Sequence, residues 1–229
     1  SRGFGAVCRS KQAVAVAGKV EAGAPNGANG TLIIDPKNIV VEATAPSGNP
    51  VLELNDPNPG ANENFGASYA VVAGYVVATD PEDQGGFGAA YIFDARPGSA
   101  TQGNLLSSVV GSADTDRVGS GGLQVLSSGN VILFSPSWSN GGTLPAAGAL
   151  TFGSTGGGAP AFAAGGGVVG AANSLVGGQA NAAVGNATID EFVSGTRFAL
   201  VNPSWNGDRG AVTFGDAVAG MPVGILSNA

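Results

Sequence analysis

The sequence predicts an all-β fold of repeated four-stranded antiparallel units in a propeller-like arrangement. Three observations predict it: a motif that returns at a nearly constant spacing, a scarcity of helix-forming side chains, and turn residues between short apolar runs. A β-solenoid and a stack of separate sheets are alternative arrangements, because both are also built from short repeated strands.

The recurring motif defines the repeat. Pro136-Ser137-Trp138 returns as Pro203-Ser204-Trp205, and these two copies contain both tryptophans of the chain. Each copy is followed by the run Gly-Ala-x-Thr-Phe-Gly, at residues 148–153 and 210–215. Self-similarity at a nearly fixed spacing predicts that each copy folds into the same small unit.

A third, more distant copy lies upstream at a similar spacing. Residues 80–86 take the place of the Pro-Ser-Trp loop, and residues 88–94 take the place of the Gly-Ala-x-Thr-Phe-Gly run. Each unit also opens with a similar pair of residues. These pairs are Phe65-Gly66, Val118-Gly119 and Val184-Gly185.

The middle unit shows the predicted strands in order. Residues 122–126 form a first apolar run, residues 131–135 a second, and Ser128-Gly129-Asn130 between them favours a tight turn. A third run covers 147–152, after the Pro-Ser-Trp loop. We predict the fourth strands of the three units at 104–110, 173–176 and 224–228.

The composition supports β structure. Glycine accounts for 40 of the 229 residues and charged residues for 11%, which leaves few side chains from which to build amphipathic helices. Hydrophobic residues reach 43%, which argues against disorder, because disordered chains combine low hydrophobicity with high net charge. The Gly- and Ala-rich stretch at 153–170 is either a flexible loop or a link between units.

Two regions are expected along the chain. Residues 1–59 form a β-rich N-terminal segment, and residues 60–229 form the repeat domain. Its units lie at about 60–112, 113–179 and 180–229, with the last one incomplete. Three units are too few to close a propeller, which has about four to eight blades. Either the chain is a fragment, or the assembly is completed by neighbouring chains or by the N-terminal segment.

The repeat resembles a known one. The Phe65-Gly66 opening and the Gly-Ala-Ala-Tyr-Ile-Phe run at 88–93 are similar to the FG-GAP repeats of integrin-type β-propellers. The whole unit also resembles repeats of very large bacterial surface proteins. The resemblance covers about residues 60–229 and rests on several motifs that recur in order.

A second resemblance lies upstream. The segment Asn-Gly-Thr-Leu-Ile-Ile-Asp-Pro-Lys-Asn-Ile-Val-Val at 29–41 is similar to one in filamentous-haemagglutinin-like exoproteins of the two-partner secretion pathway. Together the two resemblances imply an extracellular or cell-surface structural or adhesive protein, a subunit or module of a bacterial fibre, sheath or adhesin. Its partners would be copies of itself or neighbouring β modules. A carbohydrate- or cell-binding lectin-like propeller is the alternative.

The FG-GAP resemblance also implies a calcium site. Such repeats often carry an acidic loop, and here Asp80, Glu82 and Asp83 are the candidate ligands, since carboxylate oxygens suit a hard cation. The equivalent loops at 135–141 and 202–208 are nearly free of acids, so a solvated loop is the simpler interpretation. The pair Asp114 and Asp116 is a weaker candidate, and no other cofactor is predicted.

The two tryptophans are candidate binding residues. Trp138 and Trp205 could stack on a carbohydrate or on a partner residue. Their recurrence at the same place in two copies favours a structural role, because a unique binding site needs no second copy.

Composition excludes several functions. The absence of histidine removes Ser-His-Asp and Cys-His catalysis, and the single cysteine, Cys8, removes cysteine-cluster zinc sites and internal disulfides. Nothing in the sequence shows two acids converging for hydrolysis, so we predict no enzyme. A net charge of −7 argues against nucleic acid and anionic membrane surfaces. No apolar run approaches the length that a membrane-spanning helix requires, so no membrane span is predicted.

Overall fold

The computed structural model describes residues 40–41, 52–157 and 159–226. The chain divides into two compact units, Ser1–Asn55 and Asp56–Ala229. In the first unit, β1 (Val40–Val41) pairs antiparallel with β2 (Leu52–Glu53). Most of the haemagglutinin-like stretch lies outside the described residues. No helix in the described part of the chain is long and apolar enough to cross a membrane.

The second unit is all-β and begins with a four-stranded antiparallel meander, the first sheet. Its strands are β3 (Tyr69–Val72), β4 (Tyr75–Asp80), β5 (Ala89–Asp94) and β6 (Leu105–Val110). Ala73 and Gly74 both have positive φ and form the tight turn between β3 and β4. A short turn, α1 (Asp83–Gly86), in which Gln84 and Gly85 have positive φ, connects β4 to β5.

The second sheet repeats this meander. Its strands are β7 (Leu123–Val125), β8 (Val131–Ser135), β9 (Ala149–Ser154) and β12 (Ser174–Gly177). They agree closely with the predicted runs. The Gly- and Ala-rich stretch holds three short elements, β10 (Ala161–Phe162), which pairs with β9, the 3₁₀ turn η1 (Ala163–Gly165), and β11 (Gly167–Val168). This stretch is therefore a link between sheets.

The third sheet has three strands, preceded by the 3₁₀ turn η2 (Val184–Asn186). They are β13 (Thr188–Phe192), β14 (Arg197–Asn202) and β15 (Ala211–Asp216), with the turn α2 (Trp205–Asp208), in which Asn206 and Gly207 have positive φ, before β15. All three sheets of the second unit are open, and none closes into a barrel or ring.

The prediction that 224–228 forms the fourth strand of the third unit is wrong. The strand in this segment, β16 (Gly224–Leu226), pairs in parallel with β12 of the second sheet, with Ile225 opposite Val176. In the same way, β11 pairs in parallel with β6 of the first sheet, with Val168 opposite Val110. Thus β16 corresponds to β11, and each later unit adds a parallel strand to the sheet before it.

The three sheets pack face to face through two hydrophobic clusters. The first cluster joins the first and second sheets through Val77, Ala90 and Ile92 on one side and Val131, Leu133 and Ala149 on the other. The second cluster joins the second and third sheets through Ile132, Leu150 and Phe152 on one side and Phe198 and Leu200 on the other. Neighbouring residues of a strand point to opposite faces, so the second sheet is buried on both. This explains its nearly continuous apolar strands.

Candidate functional site

The predicted calcium loop follows β4, and its first acid, Asp80, is the last residue of that strand. Asp80 is 0% exposed. Its Oδ1 accepts hydrogen bonds from the backbone N–H groups of Asn64, at 3.0 Å, and Glu82, at 3.1 Å. Its Oδ2 has no hydrogen-bond partner among the described residues. Asp80 therefore ties the segment before β3 to the end of β4 and leaves one oxygen unsatisfied.

The other two predicted ligands have different partners. Glu82 forms an ion pair with Arg117, which lies in the opening turn of the next unit. Asp83 is buried, and its carboxylate accepts hydrogen bonds from the side-chain amide of Asn58, at 2.7 Å, and from the hydroxyl of Tyr91. Burial, and then this bond to Asp83, raise the pKa of Tyr91. The structure therefore does not gather Asp80, Glu82 and Asp83 into one ligand set, because two of the three acids are bound elsewhere.

Asp80 instead lies beside two acids that the sequence analysis missed. One carboxylate oxygen each from Asp56, Glu63 and Asp80 lies within 4.8 Å of the others. We call these three residues the acidic cluster. Asp56 and Glu63 precede β3 and share no motif with the loop after β4. Only the folding of that segment against the strand end identifies them.

Burial and charge repulsion act together in the acidic cluster. Burial, opposed by a hydrogen bond from the backbone of Asn58 and reinforced by the charges of Asp80, Glu63 and Asp83, raises the pKa of Asp56 from 3.8 to about 6. Burial also raises the pKa of Asp80, although its two backbone hydrogen bonds act against the rise. The fold therefore disfavours the ionised, negatively charged forms of Asp56 and Asp80.

The weaker candidate pair does not form a site. Asp116 is buried, and both of its oxygens accept hydrogen bonds, from Ser139 and from the turn at Ser112 and Ala113. Asp114 is exposed to solvent. Asp116 therefore fastens the turn that precedes β7 to the loop between β8 and β9.

Both tryptophans are buried between sheets. Trp138 belongs to the first hydrophobic cluster, and its indole Nε1 donates to the backbone oxygen of Val169 at 3.2 Å. Trp205 belongs to the second cluster. The strand registers place Asp83 at the equivalent position of the first unit. Neither indole presents a face to solvent, so the structure offers no stacking surface at these two residues.

Two large apolar side chains of β15 are exposed to solvent, with Val212 56% exposed and Phe214 59% exposed. Phe192 of β13 packs edge-on against Phe214, with the ring centroids 6.1 Å apart. We call Val212, Phe214 and Phe192 the open face. The register places Val212 and Phe214 at the positions of Leu150 and Phe152 in the second sheet.

Those equivalent positions are buried when another sheet follows. Leu150 is 1% exposed and Phe152 is 7% exposed, because the third sheet covers them. In the first sheet the equivalents are Ala90 and Ile92, which are also buried. The open face is therefore the surface that the first two sheets use to bind the next sheet.

The glycine that precedes the third strand of each sheet also distinguishes the first two sheets, which contact a following unit, from the third sheet. A Cβ atom on Gly88 would lie 2.2 Å from the backbone N of Val118, and one on Gly148 would lie 2.5 Å from the backbone N of Gly185. At both positions, therefore, the opening turn of the next unit lies directly against the glycine. The equivalent Gly210 has no atom closer than 3.6 Å to that position, and its neighbours belong to its own loop.

Comparison with known families finds the repeat but no activity. Residues 125–186 and 194–229 match the model of a repeat of unknown function (DUF5650). The two matches cover most of the second and third sheets. No curated protein matches the chain. The findings indicate neither FG-GAP nor haemagglutinin-like proteins, so those two resemblances stay predictions.

Proposed function

We propose that the chain is a structural repeat module of a bacterial extracellular assembly, such as a fibre, sheath or adhesin. Its role is to extend a series of stacked β-sheets, with the third sheet as the binding surface for another copy of the chain. Export and an adhesive or fibrous setting rest on the two sequence resemblances. The binding surface rests on the geometry of the repeat.

The open face carries this proposal. Val212 and Phe214 are exposed where Leu150 and Phe152 are buried, although the strands and their register are the same. Burying two large apolar side chains contributes about 1.5–3 kcal/mol each, so an exposed pair of this size favours association. Among the described residues no strand pairs with the outer edge of β15, whereas the first two sheets have a fourth antiparallel strand at this place, so this edge can accept a strand of another copy.

The propeller-like arrangement is part of the same proposal. The support for it is that four-stranded antiparallel meanders pack face to face and that each later unit contributes one strand to the sheet before it. Additional units on the open face then extend the series, either toward a closed ring or as a continuing stack.

The test is the oligomeric state of the full chain as its concentration rises, measured by light scattering after size exclusion and by negative-stain microscopy. We expect dimers or filaments in the wild-type protein. Phe214→Glu and Val212→Lys should raise the dissociation constant by tenfold or more, because a charge in the desolvated contact removes more than about 1.4 kcal/mol of binding free energy.

A matched control is Val168→Lys on β11. Val168 is 58% exposed although the next sheet is in place, so its exposure does not depend on a missing neighbour. This variant should associate like the wild type. A wild-type protein that stays monomeric at all concentrations, or assemblies that survive both substitutions on the open face, would contradict the proposal.

A further inference from the structure

We propose that the acidic cluster, Asp56, Glu63 and Asp80, binds one calcium ion at the start of the repeat domain. This site differs from the predicted one, because only Asp80 is common to both. It is independent of the proposed association through the third sheet, since the cluster lies beside the first sheet.

The geometry brings three carboxylates to one point. One oxygen of each lies within 4.8 Å of the other two. Oxygens that bind the same calcium ion lie no more than about 5 Å apart, so these three oxygens fit around a single ion. Asp56 and Glu63 come from the segment before β3, and Asp80 comes from the end of β4.

An unsatisfied oxygen points to a ligand. Asp80 is 0% exposed, its Oδ1 is occupied by two backbone N–H groups, and its Oδ2 has no partner among the described residues. A buried carboxylate oxygen without a partner is costly, and native proteins rarely leave one. A cation beside Oδ2 supplies the missing interaction.

No side chain neutralises the cluster in the described part of the chain. The ion pairs there are Arg96 with Asp94, Arg117 with Glu82, and Arg197 with Asp216, and none of them includes a member of the cluster. Asp83, which is also close enough to affect Asp56, adds further negative charge. A divalent cation would offset most of the charge of the three carboxylates.

The ligand chemistry favours calcium. All three donors are carboxylate oxygens, which bind hard cations, and no histidine or cysteine takes part. Asp56 and Glu63 are only partly buried, so water reaches the site and completes the six to eight ligands that calcium requires. Magnesium demands a near-ideal octahedron at shorter distances, which donors from a loop and a strand end are poorly suited to provide.

The site belongs to the first sheet alone. At the position of Asp80, the second sheet has Ser135 and the third has Asn202. Ser135 Oγ accepts a hydrogen bond from the N–H of Gly119 at 3.1 Å, and Asn202 Nδ2 donates to the backbone oxygen of Ala183 at 3.0 Å. Ser135 and Asn202 therefore hydrogen-bond directly to the opening turns of their own units. In the first sheet, calcium would instead join the segment before β3 to the end of β4.

The experiment is calcium titration of the full chain by calorimetry, together with thermal unfolding in chelator and in about 10 mM calcium, a concentration that saturates typical extracellular sites. We expect about one calcium ion per chain and a midpoint of unfolding that rises by roughly 5 °C or more in calcium. Magnesium at the same concentration should produce a clearly smaller rise.

The variants are chosen to keep the fold. Asp80→Asn retains the Oδ1 acceptor for its two backbone donors, and Glu63→Gln alters a partly exposed side chain. Each should weaken calcium binding by tenfold or more and abolish the calcium-dependent rise in the midpoint. Asp114→Asn removes one exposed carboxylate outside the cluster and should bind calcium like the wild type.

Three results would overturn the site. They are a wild-type protein that binds no calcium, an equal effect of magnesium, and an equal loss of binding in Asp114→Asn. If Asp80→Asn does not fold, Glu63→Gln and the wild-type titration still decide the question.

Discussion

At the scale of residues, one polar position recurs at the end of the second strand in every sheet. Asp80, Ser135 and Asn202 occupy it, and each is buried and bonded to the opening turn of its own unit. The chemistry differs because a serine and an asparagine satisfy that turn without charge. Asp80 Oδ2 and Asn202 Oδ1 both lack a hydrogen-bond partner among the described residues, but only the Asp80 oxygen belongs to a carboxylate that lies beside two other acids.

The raised pKa of Asp56 makes stability depend on pH. Because its folded pKa is about 6 and its unfolded pKa is near 3.8, the folded state binds the proton more tightly. Stability should therefore fall as pH rises from about 4 to 6 and then level off. The expected loss is about 1 kcal/mol, since partial exposure screens the full effect.

Urea unfolding in chelator between pH 4 and 7 measures this effect, with Asp56→Asn as the comparison. The variant lacks the titrating carboxyl, so its stability should change less over this interval. The raised pKa of Asp80 also lowers stability as the pH rises, so part of the pH dependence of stability remains in the Asp56→Asn variant. The lowered pKa of Asp94, caused chiefly by its hydrogen bonds with Arg96, acts below pH 4, outside this window. A wild-type stability that rises from pH 4 to 6 would contradict the assignment.

At the scale of elements, the glycine before each third strand controls how closely the next unit approaches. Gly88, Gly148 and Gly210 all have positive φ, so an alanine at any of them meets the same backbone strain of about 1–2 kcal/mol. Only the first two also touch the backbone of the following unit. The three positions therefore separate backbone strain from contact between units.

We expect Gly148→Ala to lower the free energy of unfolding by at least about 3 kcal/mol, because the added methyl group collides with the backbone of Gly185. Gly210→Ala should cost only about 1–2 kcal/mol, since the added methyl group would make only ordinary contacts, at 3.6 Å or more, with its own loop. Denaturant unfolding of both variants beside the wild type measures the difference. Equal losses at the two positions would show that the glycines serve only the conformation of the turn.

The parallel strands β11 and β16 show that a sequence pattern typical of a strand does not determine which strand it pairs with. Gly-Val-Val at 167–169 and Gly-Ile-Leu at 224–226 are short apolar runs of the kind that forms strands. Their pairing partners, β6 and β12, lie in the preceding unit. So short a run specifies a strand but not its neighbour, so the sequence alone does not predict that residues 224–226 pair with β12.

At the scale of the whole molecule, the packing differs between the sheets. The second sheet is buried on both faces, whereas the third is covered on one face and bears the open face on the other. Local opening follows the number of buried contacts, so the third sheet should open more readily than the others.

Hydrogen–deuterium exchange of the dilute full chain tests this expectation. Amides of β14 and β15 should exchange faster than those of β4 and β5, by tenfold or more if the difference in local stability exceeds about 1.4 kcal/mol. Raising the protein concentration should slow exchange in β15 if the open face binds another copy. Equal protection of the first and third sheets at high dilution would contradict the expected difference.

The repeat and most of its strands follow from the order of amino acids alone. The two Pro-Ser-Trp loops, the Gly-Ala-x-Thr-Phe-Gly runs and the turn at Ser128-Gly129-Asn130 place β7, β8, β9 and β12 close to their observed bounds, because turn chemistry and strand composition are local properties. The burial of the tryptophans agrees with the structural role that their recurrence favoured.

Which distant residues meet is visible only in the folded chain. Asp56 and Glu63 reach Asp80 because the segment before β3 folds back onto the end of β4. Val212 and Phe214 form a surface, rather than a core, because no described sheet covers them. Both results depend on contacts between parts of the chain far apart in sequence. No local pattern of residues contains that information.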